Sequence, residues 1–280
     1  MIIIKHISDL KNCVNDLKSK GLKIGFIPTM GALHQGHISL IKTSKTGCGA
    51  TVCSIFVNPT QFNNKEDFEK YPITIEHDIN VLEASGCDIL FLPSVEEMYP
   101  SVESFPTYHL GELETILEGK YRPGHFQGVC NIVDKLLNAA MPDTLYLGQK
   151  DYQQCLVIQK LVQIKKHETS VEICQTVREN DGLAKSSRNM RLNALERKKA
   201  IIIFESLKTI KENIKQGNTE ELKMKATELL SKSGFRTDYV EIADSVDLKP
   251  IHIWDGKQKA IILVAAYIDQ VRLIDNMAIN

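Results

Sequence analysis

The stretch Lys23-Ile24-Gly25-Phe26-Ile27-Pro28-Thr29-Met30-Gly31-Ala32-Leu33-His34-Gln35-Gly36-His37 decides how this chain folds. Lys23 to Ile27 reads as a short apolar strand that ends at Pro28. From Gly36 to Lys45, Ile38, Leu40 and Ile41 recur at helical spacing. Strand, glycine turn and helix start follow one another without a gap. In open parallel sheets, ligands bind where strands end and helices begin. A helix N-terminus presents backbone N–H groups and partial positive charge, which suits phosphate. Gly31 permits the tight turn, and Gly36 leaves room for a flat ring against the helix. His34 and His37 stand three apart, so both imidazoles project from one side of the first turn. Two such donors aimed at an α-phosphate would stabilise the charge that grows as pyrophosphate leaves. By itself a His-x-x-His pair favours half a metal site or a polar cap. The strand, the turn and the intervening glycine favour the nucleotide reading.

Working outward, the first half repeats this alternation. Met1 to His6 reads as an edge strand, and Ala50 to Val57 is a nearly continuous apolar run, as in a strand buried on both faces. Ile75 to Ser85 is an amphipathic helix, with Ile75, Ile79 and Leu82 on one face, and Asp88 to Leu92 is a strand stopped by Pro93. Helix Val129 to Ala140, strand Thr144 to Leu147, helix Tyr152 to Lys165 and strand Val171 to Cys174 follow. Such alternation implies βαβ units and a parallel sheet. The second part changes character. Asn193 to Gln216 reads as one long helix and Thr219 to Lys232 as another, ended by Gly234. Strands are expected at Asp238 to Ala243, Ala260 to Ile268 and Val271 to Leu273. The fold class is therefore α/β: a Rossmann-like parallel-sheet N-terminal domain, residues 1–176, with a smaller α+β C-terminal domain, residues 177–280.

Bulk properties narrow the function. A formal net charge of -1 supplies no strong field for a nucleic-acid backbone, so no nucleic-acid partner is expected. The N-terminal apolar run is too short for a signal peptide or a membrane span, so no membrane partner is expected either. The seven cysteines, Cys13, Cys48, Cys53, Cys87, Cys130, Cys155 and Cys174, form no Cys-x-x-Cys pair. They suggest neither disulfides nor structural zinc, and fit a reducing cytoplasm. Cys53 reads as a small buried core residue.

His34-Gln35-Gly36-His37 resembles the His-x-Gly-His signature of the nucleotidyltransferase superfamily. That superfamily carries a second, basic and hydroxyl-rich loop. Leu183-Ala184-Lys185-Ser186-Ser187-Arg188-Asn189 is similar to it and sits at the expected domain junction. Such a loop would hold β- and γ-phosphates through charge-assisted hydrogen bonds. A narrower resemblance rests on Pro28 to His34, Ser54 to Phe62, Arg122-Pro123-Gly124-His125-Phe126, and Gly148-Gln149-Lys150-Asp151-Tyr152-Gln153-Gln154. Leu263 to Ala266 and Arg272-Leu273-Ile274-Asp275-Asn276 extend it towards the C-terminus. In order and over nearly the whole chain, these look like the pantothenate synthetase family.

The resemblance implies a two-step, ATP-dependent ligation of pantoate and β-alanine through a pantoyl adenylate, with Mg²⁺ on the triphosphate and a homodimeric enzyme. It implies a first domain that binds ATP and pantoate and a second that covers the site. His37 is the expected principal catalytic residue, with His34 and Lys150 beside it. Met30, Gly31, Ala32, Leu33, His34, Gln35, Gly36 and His37 would line the ATP site. Gly148, Gln149, Lys150, Asp151, Val177, Lys185, Ser186, Ser187 and Arg188 would complete it. For Met30, core packing is the competing reading, and for Asp151 a helix cap. Gln61 would contact pantoate and β-alanine, Gln154 pantoate, and Asn58 would support the pocket or form a turn. Asp78 matches a position associated with Mg²⁺, although one acid on an amphipathic helix is usually solvated. Arg122 and His125 would close over substrate or shape their loop, and residues 63–71 would form a cover. Two positions depart from the family pattern: Gln149 replaces a common Glu, and Lys185 a common Met or Leu. Lys185 is expected either to hold phosphate or to point to solvent. The rivals are another nucleotidyltransferase, a non-catalytic nucleotide-binding module and a tRNA-binding synthetase fragment.

Overall fold

The structure is a computed structural model that describes residues 1–62, 68–100 and 105–280. The chain divides into two compact units: Met1–Gly148 with Val157–Gln175, and Gln149–Leu156 with Thr176–Asn280.

The first unit is built on six strands: β1 (Ile2–Ile4), β2 (Ile24–Thr29), β3 (Ala50–Ile55), β4 (Ile89–Phe91), β5 (Thr144–Gly148) and β6 (Ser170–Cys174). They pair in parallel in the order β1-β4-β3-β2-β5-β6. The N-terminal strand is thus at an edge, and β3, apolar and central, is buried at every residue. Its longer helices are α1 (Ile7–Ser19), α2 (Gln35–Gly47), α3 (Ile75–Ala84), α4 (His125–Ala140) and α5 (Tyr152–Lys165), the last with its first residues, to Leu156, in the second unit. Phe26, Ile27, Val52, Cys53, Leu90 and Leu145 are fully buried in this sheet. Each large apolar side chain so buried contributes about 1.5 to 3 kcal/mol.

Three local expectations change. Strand β2 does not stop at Pro28 but runs through it to Thr29, pairing with β3 to its end. Its pairing with β5 covers only Gly25 and Phe26, so at Pro28 a ladder remains on one side alone. There the missing proline N–H is tolerated. Helix α4 begins at His125 rather than Val129, because Gly124 takes the left-handed conformation (φ 81°) that starts it directly after the Pro123-Gly124 turn. Helix α1 was not expected. Its buried residues are only Leu10 and Val14, one i,i+4 pair among polar neighbours.

The second unit holds a three-stranded antiparallel sheet, β11 (Val271–Ala278), β10 (Ala260–Ile268) and β8 (Arg236–Asp244), and a two-stranded pair, β7 (Gly217–Asn218) with β9 (Ile253–Trp254). Helices α7 (Ile202–Asn213) and α8 (Glu220–Lys232) share one apolar core with that sheet, including Leu207, Ile210, Leu230, Ile242, Ile262 and Val264, while the preceding helix α6 (Ala194–Lys199) buries none of its residues. The single long helix expected from Asn193 is two. It begins as read, with Asn193 and Glu196 forming a capping box. At Ala200 the ladder tightens to an i→i+3 bond, from Ile203 N–H to the Ala200 carbonyl at 3.2 Å. Strand β11 also exceeds the expected Val271 to Leu273. It follows β10 residue for residue as far as Ala278. No helix among the described residues is long and apolar enough to cross a membrane. All seven cysteines are free thiols, and Cys53 is fully buried.

Candidate active site

In the first unit, β2 ends at a turn that must bend sharply into α2. Gly31 and Ala32 both have positive φ, 81° and 49°. For alanine this left-handed backbone is strained. Asp78 holds it. One carboxylate oxygen accepts the N–H of Ala32 at 2.9 Å and the hydroxyl of Thr74 at 3.1 Å; the other accepts the N–H of Leu33 at 2.8 Å. Asp78 is fully buried. It is therefore neither a solvated helix residue nor an open oxygen ligand. On the other side of the turn, the Thr29 hydroxyl donates to the Ser54 carbonyl at 2.8 Å and accepts the N–H of Gly31 at 3.2 Å.

His34 and His37 form a reciprocal cap on α2. His34 Nδ1 accepts the N–H of Gly36 at 3.1 Å, and His37 Nδ1 accepts the N–H of His34 at 3.2 Å. The ring centroids lie 4.1 Å apart. An Nδ1 that accepts a hydrogen bond carries no proton, so each neutral imidazole carries its proton on Nε2. Gly36 is required by this cap. A Cβ there would stand 2.8 Å from Cε1 and 2.9 Å from Nδ1 of His34. The His34 ring lies in the space that a side chain at position 36 would enter.

Beyond β3, Asn58 caps the turn Pro59–Gln61 and is buried. Its Oδ1 accepts from Thr60 N–H at 3.3 Å and from the hydroxyls of Thr60 and Tyr99 at 3.1 and 2.8 Å. Its Nδ2 donates to the Gly128 carbonyl at 3.2 Å and to Gln61 Oε1 at 3.3 Å. Gln61 in turn donates from Nε2 to the Met30 sulfur at 2.8 Å. His125 Nδ1 donates to the Gln61 carbonyl at 2.8 Å, which fixes its tautomer. Met30, Asn58, Gln61 and His125 thus converge, while Arg122 pairs with Glu118 at 3.6 Å. The expected cover lies partly outside the described residues, at 63–67. On its described flanks Phe62 packs edge-on against Phe68 and Tyr71, with centroids 5.3 and 5.8 Å apart.

In the second unit, Gln149–Asp151 forms one 3-10 turn leading into α5, whose first turn carries Gln154 half-buried. Lys150 Nζ lies 3.7 Å from Asp151 Oδ1. Gly148, just before it, ends β5 opposite Cys174. The basic loop begins at Val177, whose carbonyl accepts the N–H of Lys185 at 3.0 Å. Ser186 caps the turn Ser187–Arg191, accepting the N–H of Arg188 on its hydroxyl at 3.3 Å. The Lys185 ammonium pairs with the Glu179 carboxylate at 2.7 Å.

The parallel sheet with its histidine-capped helix start in the first unit, and the basic loop with two serines in the second, are features of an α/β, ATP-dependent ligase. The model of the pantoate-beta-alanine ligase family matches residues 2–278. The chain is 42% identical over 280 residues to the pantothenate synthetase of Bacteroides thetaiotaomicron, covering 99% of this chain and 98% of that one. It is 44% identical over 282 residues to that of Fervidobacterium nodosum, with both covered completely. Among solved structures, the pantothenate synthetase of Thermus thermophilus superposes with a TM-score of 0.93 at 37% identity, covering 100% and 99% of the two chains. The pantoate-beta-alanine ligase of Francisella tularensis, crystallised with an ATP compound and β-alanine, gives 0.84 at 40% identity over 99% and 97%. The chain belongs to the pantoate-beta-alanine ligase family.

Proposed function

We propose that this chain joins (R)-pantoate and β-alanine at the expense of ATP, giving pantothenate, AMP and pyrophosphate, the pantothenate step of coenzyme A supply. The observation that carries this reading is the family match, which spans residues 2–278.

In the first step a pantoate carboxylate oxygen bonds to the α-phosphorus and the bond to pyrophosphate breaks. Negative charge builds on the α-phosphate and on the leaving group. His34 and His37 meet it with Nε2–H donors, their Nδ1 atoms being spent on the helix cap. Their role is hydrogen-bond donation at fixed positions, with His37 the principal donor. Lys150, Ser186, Ser187 and Arg188 hold the β- and γ-phosphates, and Val177 packs on adenine. Gln61 binds pantoate and then β-alanine. Its present acceptor is a thioether, a weak one, so a hydroxyl or carboxylate oxygen displaces it readily. Asn58 holds Gln61, and Gln154 contributes to the pantoate pocket. In the second step the β-alanine amine attacks the acyl carbon, loses a proton, and AMP departs with the bonding pair. Enclosing the adenylate limits its hydrolysis and fixing the amine beside it removes entropic cost.

Mg²⁺ enters as part of the substrate, on the triphosphate. Among the described residues no three His, Cys, Asp or Glu converge as a cation cage. Asp78, with both oxygens on backbone N–H groups, does not fit a metal ligand. We assign it instead to bracing the turn that presents His34. The same reading carries a cytoplasmic homodimer, which seven free thiols and sedimentation would respectively support and test.

Product analysis tests the reaction. Free AMP should appear from ATP and pantoate only when β-alanine is added. A stable nucleotidylated product that accumulates irrespective of β-alanine would indicate a different nucleotidyltransferase.

A further inference from the structure

Near the end of the chain, β11 stops alternating. Asp275 and Asn276 are consecutive, polar and both about as buried as the core, 3% and 2% exposed. Opposite them on β10 stand Val264 and Leu263. Two adjacent polar groups at such burial need partners, and they find them on two different loops.

Asn276 reaches the Gln149–Asp151 turn. Its Nδ2 donates to the carbonyls of Gln149 and Lys150, both at 2.9 Å, and its Oδ1 accepts from Gln149 Nε2 at 3.1 Å. Every polar atom of this amide is used. In this chain the pattern uses an amide at both positions: a carboxylate at 276 could not donate, and the Glu common at 149 in the family would keep the two backbone bonds but could not supply the Nε2–H to Oδ1. The backbone from which the Lys150 side chain projects is thereby pinned.

Asp275 reaches the other loop. Arg178 grips it with two bonds, at 2.6 and 3.0 Å. The same guanidinium donates to the Gly182 carbonyl at 3.0 Å and to the Asn276 carbonyl at 3.2 Å, and lies 4.8 Å over the Phe204 ring. Arg178 also bridges Ala184, so the hairpin leading into Lys185, Ser186 and Ser187 is tied to the same strand.

We propose that Asn276 and Asp275 are positioning residues for the triphosphate of ATP: one strand end sets both Lys150 and the Ser186-Ser187-Arg188 loop. This rests on the reaction proposed above and adds to it two residues that touch no substrate. Planar amide locks and a bidentate buried pair fix orientation better than single bonds do.

The test uses the full-length protein with Asn276→Asp, Asn276→Ala and Gln149→Glu. ATP dissociation constants come from calorimetry, which does not need turnover. Pantoate-dependent pyrophosphate exchange and aminolysis of supplied pantoyl adenylate by β-alanine report the two half-reactions. Asn276→Asp should weaken ATP binding by about tenfold or more, the scale of unpairing buried acceptors, and slow exchange, while aminolysis stays within about twofold. Gln149→Glu should weaken ATP binding in the wild-type background and have little further effect in Asn276→Ala, since the pair acts as one unit. Unchanged ATP binding in the folded variants overturns the proposal. So does an equal fall in both half-reactions that tracks loss of thermal stability. Gln149→Glu, the milder change, decides the matter if the Asn276 variants do not fold. A wild type that binds ATP without exchanging pyrophosphate would instead sink the proposed reaction, and the calorimetric arm would still judge the positioning pair.

Discussion

The carboxylate of Asp78 accepts the backbone N–H of Leu33 at 2.8 Å, across 45 residues of sequence, and so holds the strained turn immediately before His34. Its second oxygen holds the N–H of Ala32, the residue with φ 49°. Hydrogen bonds to a buried charge are worth roughly 1.5 to 3 kcal/mol each, and a left-handed alanine costs about 1 to 3. Asp78→Ala should therefore lower unfolding stability by about 3 kcal/mol or more in urea titrations. Asp78→Asn keeps the shape but turns an NH₂ towards N–H donors, so it too should destabilise. Unaltered stability in both variants would remove the bracing role.

Gly36→Ala separates the cap from helix stability. Alanine is the better helix former by about 1 kcal/mol, so stability should stay within that margin. Yet the new Cβ meets the His34 ring at 2.8 Å and must displace it. Pyrophosphate exchange should fall by about tenfold or more, equivalent to roughly 1.4 kcal/mol of transition-state stabilisation. Full activity would mean that the His34 ring position does not matter.

Lys185→Met should leave the ATP Michaelis constant within about twofold of wild type, because the ammonium is held by Glu179 at 2.7 Å. Both groups are partly exposed, and such a pair contributes about 0 to 1 kcal/mol, so stability should barely move. A large rise in the ATP constant would return Lys185 to the phosphates.

Acid stability should depend on Asp134 in α4. Burial alone would raise its pKa, but bonds from His167 at 2.8 Å, Lys165 at 3.1 Å and Tyr108 at 3.0 Å outweigh this and hold it below the usual carboxylate range. A depressed carboxyl stabilises the fold above its unfolded pKa, near 4, and that contribution is lost as pH falls through the lower folded value. Asp134→Asn should cost roughly 3 kcal/mol at pH 7 and flatten the fall in stability below pH 4. Equal acid slopes in urea titrations of both proteins would contradict this.

What was legible in the sequence followed from local pattern. The apolar run Ala50 to Val57 announced a central strand, and the turn from Pro28 to His37 announced where β2 hands over to α2. The β11 extension was hidden because Asp275 and Asn276 interrupt its apolar alternation, and α1 because a two-residue buried stripe is a weak periodic signal. Contacts distant in sequence were unreadable. Asp78 looks like a surface acid until Ala32 and Leu33 are brought to it, and no local pattern announces that Lys185 pairs with Glu179. That a Cβ at Gly36 would meet the His34 ring depended on the His34 rotamer, which only the folded turn determines.

The central claim, that His37 and its cap serve acyl-adenylate formation, is tested most directly by exchange of labelled pyrophosphate into ATP without β-alanine. Wild type should exchange only when pantoate is present, and His37→Ala should lose about a hundredfold or more, the scale of removing one donor to developing charge. No exchange in wild type, exchange that ignores pantoate, or a fully active His37→Ala would contradict it.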